Sequence, residues 1–201
     1  MTNDVYPPVL ISEERIRARV QELAAEISRD FDGAQGLLLV GVLRGAFIFL
    51  ADLARRITVP HAVDFVATSH YGTGTVALGN ISLLSDVRSE LAGRPVLLVE
   101  DILDTGHTLR FLQQLFRGRA PSQLRTCVLV RKISRQQVTV PLDYLGFDIP
   151  DLWAVGYGLD CMDRWRTLPY IGVVPPETTT DQDARKESRP APGLQLAGSS
   201  H

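Results

Sequence analysis

Two unbroken apolar segments constrain the fold more than any other feature of this sequence. They span residues 37–42 and 95–99, and a further strand is predicted over 124–130. A strand with one wet face alternates apolar and polar residues, whereas an unbroken apolar strand is covered on both faces. Helical segments follow both runs, and this strand–helix–strand order favours a parallel sheet with helices on both faces. The sequence therefore predicts an α/β fold whose ligands bind beyond the carboxyl ends of the strands.

Three helices are predicted between the strands. Ser12 is placed to cap the first one, because its hydroxyl can accept a backbone N–H and because Glu13 and Glu14 suit a first turn. The apolar stripe of this helix is Ile16, Val20, Leu23, Ala24 and Ile27. The other helices are predicted over 46–57 and 108–116, and further strands over 61–68, 81–84, 142–147 and 153–157. Residues 69–79 contain three glycines and are predicted to form a mobile loop.

The 201 residues suit a single domain. Composition changes near the end, where residues 176–201 are rich in Thr, Asp, Ser, Pro, Gly and Gln. The only large apolar residues in this stretch are Leu194 and Leu196, so it buries too little surface to offset the entropy of ordering. We predict one folded domain over 1–175 and a disordered tail over 176–201.

Charge and hydropathy exclude several function classes. Lys and Arg number 21 and Asp and Glu number 23, a net charge of −2 that gives no reason to expect nucleic acid as a partner. No apolar run approaches the roughly 18–20 residues of a membrane span. The N-terminus lacks the pattern of a secretion signal, so we expect a cytoplasmic protein. Cys127 and Cys161 have no paired spacing and are expected to be small buried side chains.

The strongest local motif follows the second apolar run. Glu100 and Asp101 end the predicted strand, and Asp104 precedes a Thr-Gly-His-Thr sequence, residues 105–108, that opens a helix. The unpaired N–H groups at a helix start favour an anion such as phosphate, and Gly106 lets the backbone approach it closely. Carboxylates repel phosphate but accept from sugar hydroxyls or hold Mg²⁺. The motif therefore points to a phosphorylated sugar.

This motif, Glu-Asp-Ile-Leu-Asp-Thr-Gly-His-Thr-Leu over 100–109, resembles the phosphoribosyl-pyrophosphate (PRPP) motif of type I phosphoribosyltransferases. Its form is close to that of the hypoxanthine-guanine members, and the resemblance covers about residues 9–174. It implies a parallel twisted sheet flanked by helices, with a small hood built from the terminal segments. It also implies Mg²⁺-dependent transfer from PRPP to a 6-oxopurine, hypoxanthine or guanine, by a homodimer or homotetramer.

The resemblance also implies roles for the residues that would bind PRPP. Those at the ribose and the 5′-phosphate are Glu100, Asp101, Asp104, Thr105, Gly106, His107 and Thr108. Those at the pyrophosphate are Leu43, Arg44, Gly45 and Arg166, with a cis peptide bond between Leu43 and Arg44. Those at Mg²⁺ are Glu100, Asp101 and Asp160. Asp104 is implied as the catalytic general base at the purine N7.

Purine binding is implied for Lys132, Trp153, Ala154 and Asp160. Lys132 would donate a hydrogen bond to the 6-oxo group of the purine. A 6-amino base presents a donor at that position, so the Lys132 ammonium would stay unpaired and adenine would be rejected. Without the resemblance, the sequence favours Lys132 as a solvated charge at a strand end and leaves Trp153 open as a core residue. In the loop that covers the site, the resemblance matches Tyr71, but His70 stands where the family usually has serine. His70 is either a surface residue or an additional titratable group in this lid.

Two other functions remain open from the sequence. An enzyme of the same fold that uses xanthine or another base would share the PRPP motif and differ around Lys132 and Trp153. A nucleotide-sensing regulator that binds RNA would need a local basic patch, which the net charge does not favour.

Overall fold

The computed structural model describes residues 6–69, 77–78 and 81–174. The predicted tail over 176–201 and the predicted lid residues His70 and Tyr71 lie outside this range. The helices are α1 (Glu13–Asp30), α2 (Phe47–Ala54) and α3 (His107–Arg117). The strands are β1 (Val9–Ile11), β2 (Leu37–Leu43), β3 (His61–Ser69), β4 (Ala77–Leu78), β5 (Ile81–Ser85), β6 (Pro95–Leu103), β7 (Gln123–Lys132), β8 (Tyr144–Ile149), β9 (Trp153–Val155) and β10 (Ile171–Val174).

The main sheet has seven strands in the order β4-β5-β3-β2-β6-β7-β8. The five strands from β3 to β8 in this order pair in parallel, as predicted. Strand β5 instead pairs antiparallel with β3, and β4 pairs antiparallel with β5. The predicted parallel sheet therefore has an antiparallel edge. Only eleven residues separate β3 from β5 in the chain, whereas a parallel pairing needs a crossover of about a dozen residues or more.

Helices cover both faces of this sheet, which confirms the predicted layer arrangement. Successive side chains of a strand point to opposite faces. Leu37 and Leu39 pack in the core beneath α1 and α2, whereas Leu38 and Val40 pack in the core beneath α3. All four are fully buried. The unbroken apolar run is thus explained by two separate cores on the opposite faces of β2.

The first helix follows its prediction and the second differs from it. Ser12 caps α1 by accepting the Arg15 N–H at 3.4 Å. The five stripe residues of α1, from Ile16 to Ile27, are all buried. Helix α2 covers 47–54 rather than the predicted 46–57. The chain leaves α2 through tight turn bonds from Arg56 and Ile57 to the Leu53 carbonyl, ahead of the β-branched residues and proline at 58–60.

Strand β6 is longer than predicted. Glu100 and Asp101 do not end it, because pairing with β7 continues through Glu100 opposite Val128 and Leu103 opposite Arg131. The prediction that the two carboxylates end the strand is wrong, and only Asp104 belongs to the loop.

A second sheet joins the two ends of the described chain. Strands β1, β10 and β9 pair antiparallel in that order, with Val173 opposite Ala154 and Val174 opposite Trp153. The strand predicted over 153–157 is shorter, because positive φ angles at Gly156 and Tyr157 end it. Cys127 and Cys161 are buried and form no disulfide, as predicted. Within the described residues, no helix is long and apolar enough to cross a membrane.

Candidate active site

Three loops meet at the carboxyl edge of the parallel strands. They follow β2, β6 and β7, which are neighbours in the sheet. The first is the Leu43–Arg44–Gly45 loop, the second begins at Asp104, and the third contains a 3-10 turn over Ile133–Arg135. Because the strands are parallel, their carboxyl ends lie at the same edge. The structure thus brings together segments that are up to about ninety residues apart in the chain.

A cavity of about 480 Å³ lies between the first two loops. Its lining includes every predicted PRPP residue except His107, together with Arg166 and Asp160. Those predicted residues are Leu43, Arg44, Gly45, Glu100, Asp101, Asp104, Thr105, Gly106, Thr108, Asp160 and Arg166. The peptide bond between Leu43 and Arg44 is cis, as the resemblance implies. The side chain of His107 instead lies beside Gln137, with Nε2 3.2 Å from Oε1.

A second cavity, of about 500 Å³, adjoins the first. The predicted purine residues Lys132, Trp153 and Ala154 line it. The two cavities share four lining residues, which are Asp101, Ile102, Asp104 and Asp160. Both volumes are typical of small-molecule sites. A ligand with an anionic end and a flat base could therefore span them, with Asp104 at the junction.

The loop after β6 is shaped to present a helix start. Gly106 has a φ of 91° and caps α3, which begins at His107. A Cβ at this position would lie 2.5 Å from the Val138 carbonyl oxygen, so glycine is required there. The Thr105 carbonyl accepts N–H groups from Gln137 and Val138 at 3.0 and 3.1 Å. The segment after β7 therefore holds the loop in place through these two backbone hydrogen bonds.

The loop after β2 touches two other parts of the site through glycines. A Cβ on Gly45 would lie 1.7 Å from Oδ2 of Asp101. Gly158, with a φ of 105°, lies against the Gly45 carbonyl, where a Cβ would be 2.0 Å from the oxygen. These contacts leave no room for a side chain. The predicted pyrophosphate loop is thus packed directly against a carboxylate on one side and backbone on the other.

Two arginines face the anionic end of the first cavity. Arg166 pairs with Asp160 at 2.7 Å and donates from Nη1 to the Gly158 carbonyl at 2.8 Å. Arg44 pairs with Asp163 at 2.5 Å, and Asp163 also lies 3.2 Å from Arg166. Sequence reasoning missed Asp163. No local pattern distinguishes it, since its link to Arg44 joins residues 119 positions apart.

The carboxylates of β6 are held in an unfavourable setting for negative charge. Oε2 of Glu100 is buried and has no hydrogen-bond partner. Burial, with the neighbouring charge of Asp101, raises the pKa of Glu100 well above its usual value. Burial also raises the pKa of Asp101 from 3.8 to about 6, against the opposing effect of its backbone N–H bonds. A cation at this place would relieve both groups.

The predicted Mg²⁺ residues fit a metal that the ligand helps to hold. Among residues 6–69, 77–78 and 81–174 no cluster of three or more ligating side chains is preformed. Mg²⁺ commonly binds through one or two carboxylates together with substrate phosphates. Asp101 and Asp160 line both cavities, and the unpartnered Glu100 oxygen adds a hard donor nearby. The donor set therefore suits Mg²⁺ once phosphate oxygens are present.

A cluster of four charged side chains lines the second cavity. Nζ of Lys132 lies 3.8 Å from Asp104 and 3.7 Å from Asp151, and the residue is 8% exposed. Nε of Arg135 donates to Asp104 at 3.1 Å and lies 3.8 Å from Asp151. The solvated-end interpretation of Lys132 is therefore wrong. Asp151 and Arg135 escaped the sequence reasoning, because only the 3-10 turn returns Arg135 toward Asp104.

Trp153 is an exposed wall of the second cavity. Its residue is 43% exposed, so the core interpretation is wrong. Its backbone is fixed by pairing with Val174, whereas Ala154 beside it is buried. A half-exposed indole on a fixed strand offers a flat face for stacking.

The comparisons with known proteins agree with this geometry. Residues 11–161 match the model of the phosphoribosyl transferase domain, which is most of the chain. The chain belongs to the phosphoribosyltransferase family. Its relatives within this family include the hypoxanthine phosphoribosyltransferase of Salmonella typhimurium, which is 44% identical over 167 residues, covering 83% of this chain and 94% of that protein. The hypoxanthine-guanine phosphoribosyltransferase of Dictyostelium discoideum is 41% identical over 172 residues, covering 84% and 96%.

Solved phosphoribosyltransferase structures share the fold. The hypoxanthine phosphoribosyltransferase of Staphylococcus aureus superposes with a TM-score of 0.81 at 37% identity, covering 89% of this chain and 96% of that one. Family membership confirms the predicted fold class and places the two cavities in the context of phosphoribosyl transfer. The roles of individual residues remain predictions.

Proposed function

We propose that this phosphoribosyltransferase transfers the 5-phosphoribosyl group from PRPP to hypoxanthine or guanine, giving IMP or GMP and pyrophosphate in purine salvage. The observation that carries the proposal is the pairing of the two cavities. One has a helix start and two arginines for phosphate groups, and the other has a buried lysine and an exposed tryptophan for a base. The names of the similar proteins agree with this substrate class.

The chemistry divides between the two cavities. The loop ahead of α3 binds the 5′-phosphate, and this remote binding energy orients the ribose for attack. Arg44 and Arg166 stabilise the charge that develops on the departing pyrophosphate. Asp104 sits at the junction and removes the N7 proton as the purine N9 attacks. Glu100, Asp101 and Asp160 would hold Mg²⁺, which would neutralise part of the charge on the pyrophosphate.

Base choice rests on Lys132. Its ammonium can only donate, so it pairs with a 6-oxo group and opposes a 6-amino group. We expect pyrophosphate release with hypoxanthine and guanine but not with adenine, when the purified protein is assayed with PRPP and Mg²⁺. Turnover chiefly with xanthine would keep the reaction and change the substrate. No turnover with any base, together with salt-dependent RNA retention on filters, would favour the regulator.

The proposed base is tested with Asp104→Asn. The amide keeps the shape of the side chain and its contact with Arg135 through an oxygen, but it accepts no proton. General base catalysis contributes roughly 10²–10⁴ in rate, so kcat should fall by that factor with little change in KM for PRPP. The matched control is Asp151→Asn, which also faces Lys132 and Arg135 and carries no proton in this mechanism. Near-normal turnover by Asp104→Asn would remove Asp104 from this role.

We also propose that the protein is a homodimer or homotetramer in the cytoplasm. Val63 and Phe65 lie on one face of β3 and are 45% and 40% exposed. Phe47 of α2, 41% exposed, adds to the exposed apolar surface of this half of the molecule. Apolar surface of this kind commonly marks a protein interface. Sedimentation of the wild type and of a Phe65→Lys variant tests it, and a wild type that sediments as a monomer would contradict it.

A further inference from the structure

A partly buried hydrogen bond joins α2, which follows the Leu43–Arg44–Gly45 loop, to a segment that lines the first cavity. The Tyr157 hydroxyl donates to Oδ2 of Asp52 at 2.6 Å, and the Tyr157 residue is only 6% exposed. Asp52 lies on α2, and Tyr157 lies between Gly156 and Gly158 on the segment that carries Asp160 and Arg166. The bond connects residues 105 positions apart. It therefore fixes a distance that no local sequence determines.

On one side, the bond holds the helix that continues the pyrophosphate loop. The Ala46 N–H donates to the Val42 carbonyl at 3.2 Å, and the Phe47 N–H donates to the Arg44 carbonyl at 3.3 Å. These bonds lead the chain from the loop into α2 without a flexible connection. Arg55 and Arg56 also pair with Asp52, so its carboxylate is held in place from the helix. Displacing α2 would therefore displace Arg44 and Gly45.

On the other side, the bond holds the segment that supplies Arg166. The Tyr157 N–H donates to the Leu168 carbonyl at 2.9 Å, and the Gly158 N–H donates to the Arg166 carbonyl at 2.8 Å. The Arg166 side chain returns a bond to the Gly158 carbonyl at 2.8 Å. Tyr157 has a φ of 51°, a conformation that its surroundings must enforce. Its side chain is the anchor of this segment.

We propose that Tyr157 and Asp52 are positioning residues for the pyrophosphate of PRPP. Their bond sets the spacing between the Arg44–Gly45 loop and Arg166, which approach one oxyanion group from opposite sides. The same bond keeps Gly158 so near the Gly45 carbonyl that a Cβ on Gly158 would lie 2.0 Å from the oxygen. The predicted purine residues Lys132 and Trp153 line the other cavity, whose lining includes neither Tyr157 nor Asp52. The proposal rests on the proposed function, since it assigns the first cavity to PRPP.

The test compares two tyrosine variants in the full chain. Tyr157→Phe removes the hydroxyl, and Tyr144→Phe is its matched control. Tyr144 is also buried and donates to Asp30 at 2.9 Å, but it lies at the opposite end of β8 from the site. We expect Tyr157→Phe to raise the PRPP Kd and KM and the pyrophosphate KM of the reverse reaction about tenfold, with the hypoxanthine KM unchanged within about twofold. Tyr144→Phe should change none of them.

A second pair of variants separates positioning from general loss of structure. Asp52→Asn keeps an acceptor oxygen for Tyr157 and should retain wild-type PRPP affinity, whereas Asp52→Ala should match Tyr157→Phe. If Tyr157→Phe does not fold, the PRPP Kd of Asp52→Ala divided by that of Asp52→Asn tests the proposal instead. An unchanged PRPP Kd in Tyr157→Phe or Asp52→Ala, or an equal rise for PRPP and hypoxanthine, overturns the proposal. If the wild type binds PRPP without turnover, the proposed function is wrong. The positioning proposal is then still tested by the ratio of the PRPP Kd of each variant to that of the wild type.

Discussion

Asp101→Asn should make the ligand-free protein more stable at neutral pH. Burial raises the pKa of Asp101 from 3.8 to about 6, although bonds from its own and the Ile102 N–H, and the charge of Arg166, oppose this. At 1.36 kcal/mol per pKa unit, the ionised carboxylate reduces folding stability by about 3 kcal/mol. Asparagine has nearly the same shape and no charge. The variant should therefore gain up to about 3 kcal/mol near pH 7.

The sign of the pH dependence follows from the raised pKa. Between pH 3.8 and about 6 the folded protein holds a proton on Asp101 that the unfolded chain has released. The contribution of the protonated Asp101 to the free energy of unfolding is fully present below pH 3.8. It is lost as the pH rises through about 6. Asparagine does not titrate. The advantage of the variant should therefore be near zero at about pH 4 and largest at about pH 7.

Urea denaturation in the presence of a chelator and without PRPP measures both points. Asp64→Asn is the control, because Asp64 accepts backbone N–H groups from Phe65, Arg88 and Ser89 at 2.7–2.9 Å. Burial alone would raise its pKa, but these bonds outweigh burial and lower it. Asp64→Asn should therefore lose stability near pH 7. A loss in Asp101→Asn, or a gain that is equal at both pH values, would refute the reasoning.

The same Asp101 variant should bind PRPP with Mg²⁺ more weakly. The carboxylate that strains the free protein becomes favourable when a cation and ribose hydroxyls meet it. Stability and affinity should thus move in opposite directions, which is typical of residues kept for function. Calorimetric titration of PRPP measures the affinity, and a variant that is more stable and binds equally well would show that Asp101 does not contact the ligand.

Two further predictions concern backbone and thiol chemistry. Gly106→Ala and Gly93→Ala both force a side chain into a positive φ, at 91° and 70°, and this strain should cost each about 1–2 kcal/mol in urea denaturation. Gly106→Ala should lose more than this and should also weaken PRPP binding, because its Cβ meets the Val138 carbonyl, whereas nothing lies within 4 Å of the Gly93 Cβ position. Burial raises the pKa of the Cys127 thiol, so a thiol reagent near pH 8 should modify Cys127 only at the rate of unfolding. Rapid labelling of Cys127 in native protein, followed by mass spectrometry, would contradict its burial.

Much of the fold was predictable because its signals are local. Apolar runs located the central strands. The five apolar residues named from the helical stripe of α1 are all buried in the structure. The motif over 100–109 located the loop ahead of α3, because a helix start and a glycine are adjacent in the sequence. The antiparallel edge at β5 and the extension of β6 past Glu100 were not predictable. Both depend on which strand lies alongside, a choice made by distant segments.

The candidate site divides in the same way. The sequence by itself determined which residue types are available, including Lys132, Asp104 and Arg166. Only the tertiary structure decided that Lys132 is buried between Asp104 and Asp151, and that Arg44 meets Asp163. The physical reason is the separation along the chain over which each interaction acts. Backbone propensity and periodicity act over a few residues, whereas burial and charge pairing depend on distances set by the whole packed chain, as between Asp52 and Tyr157.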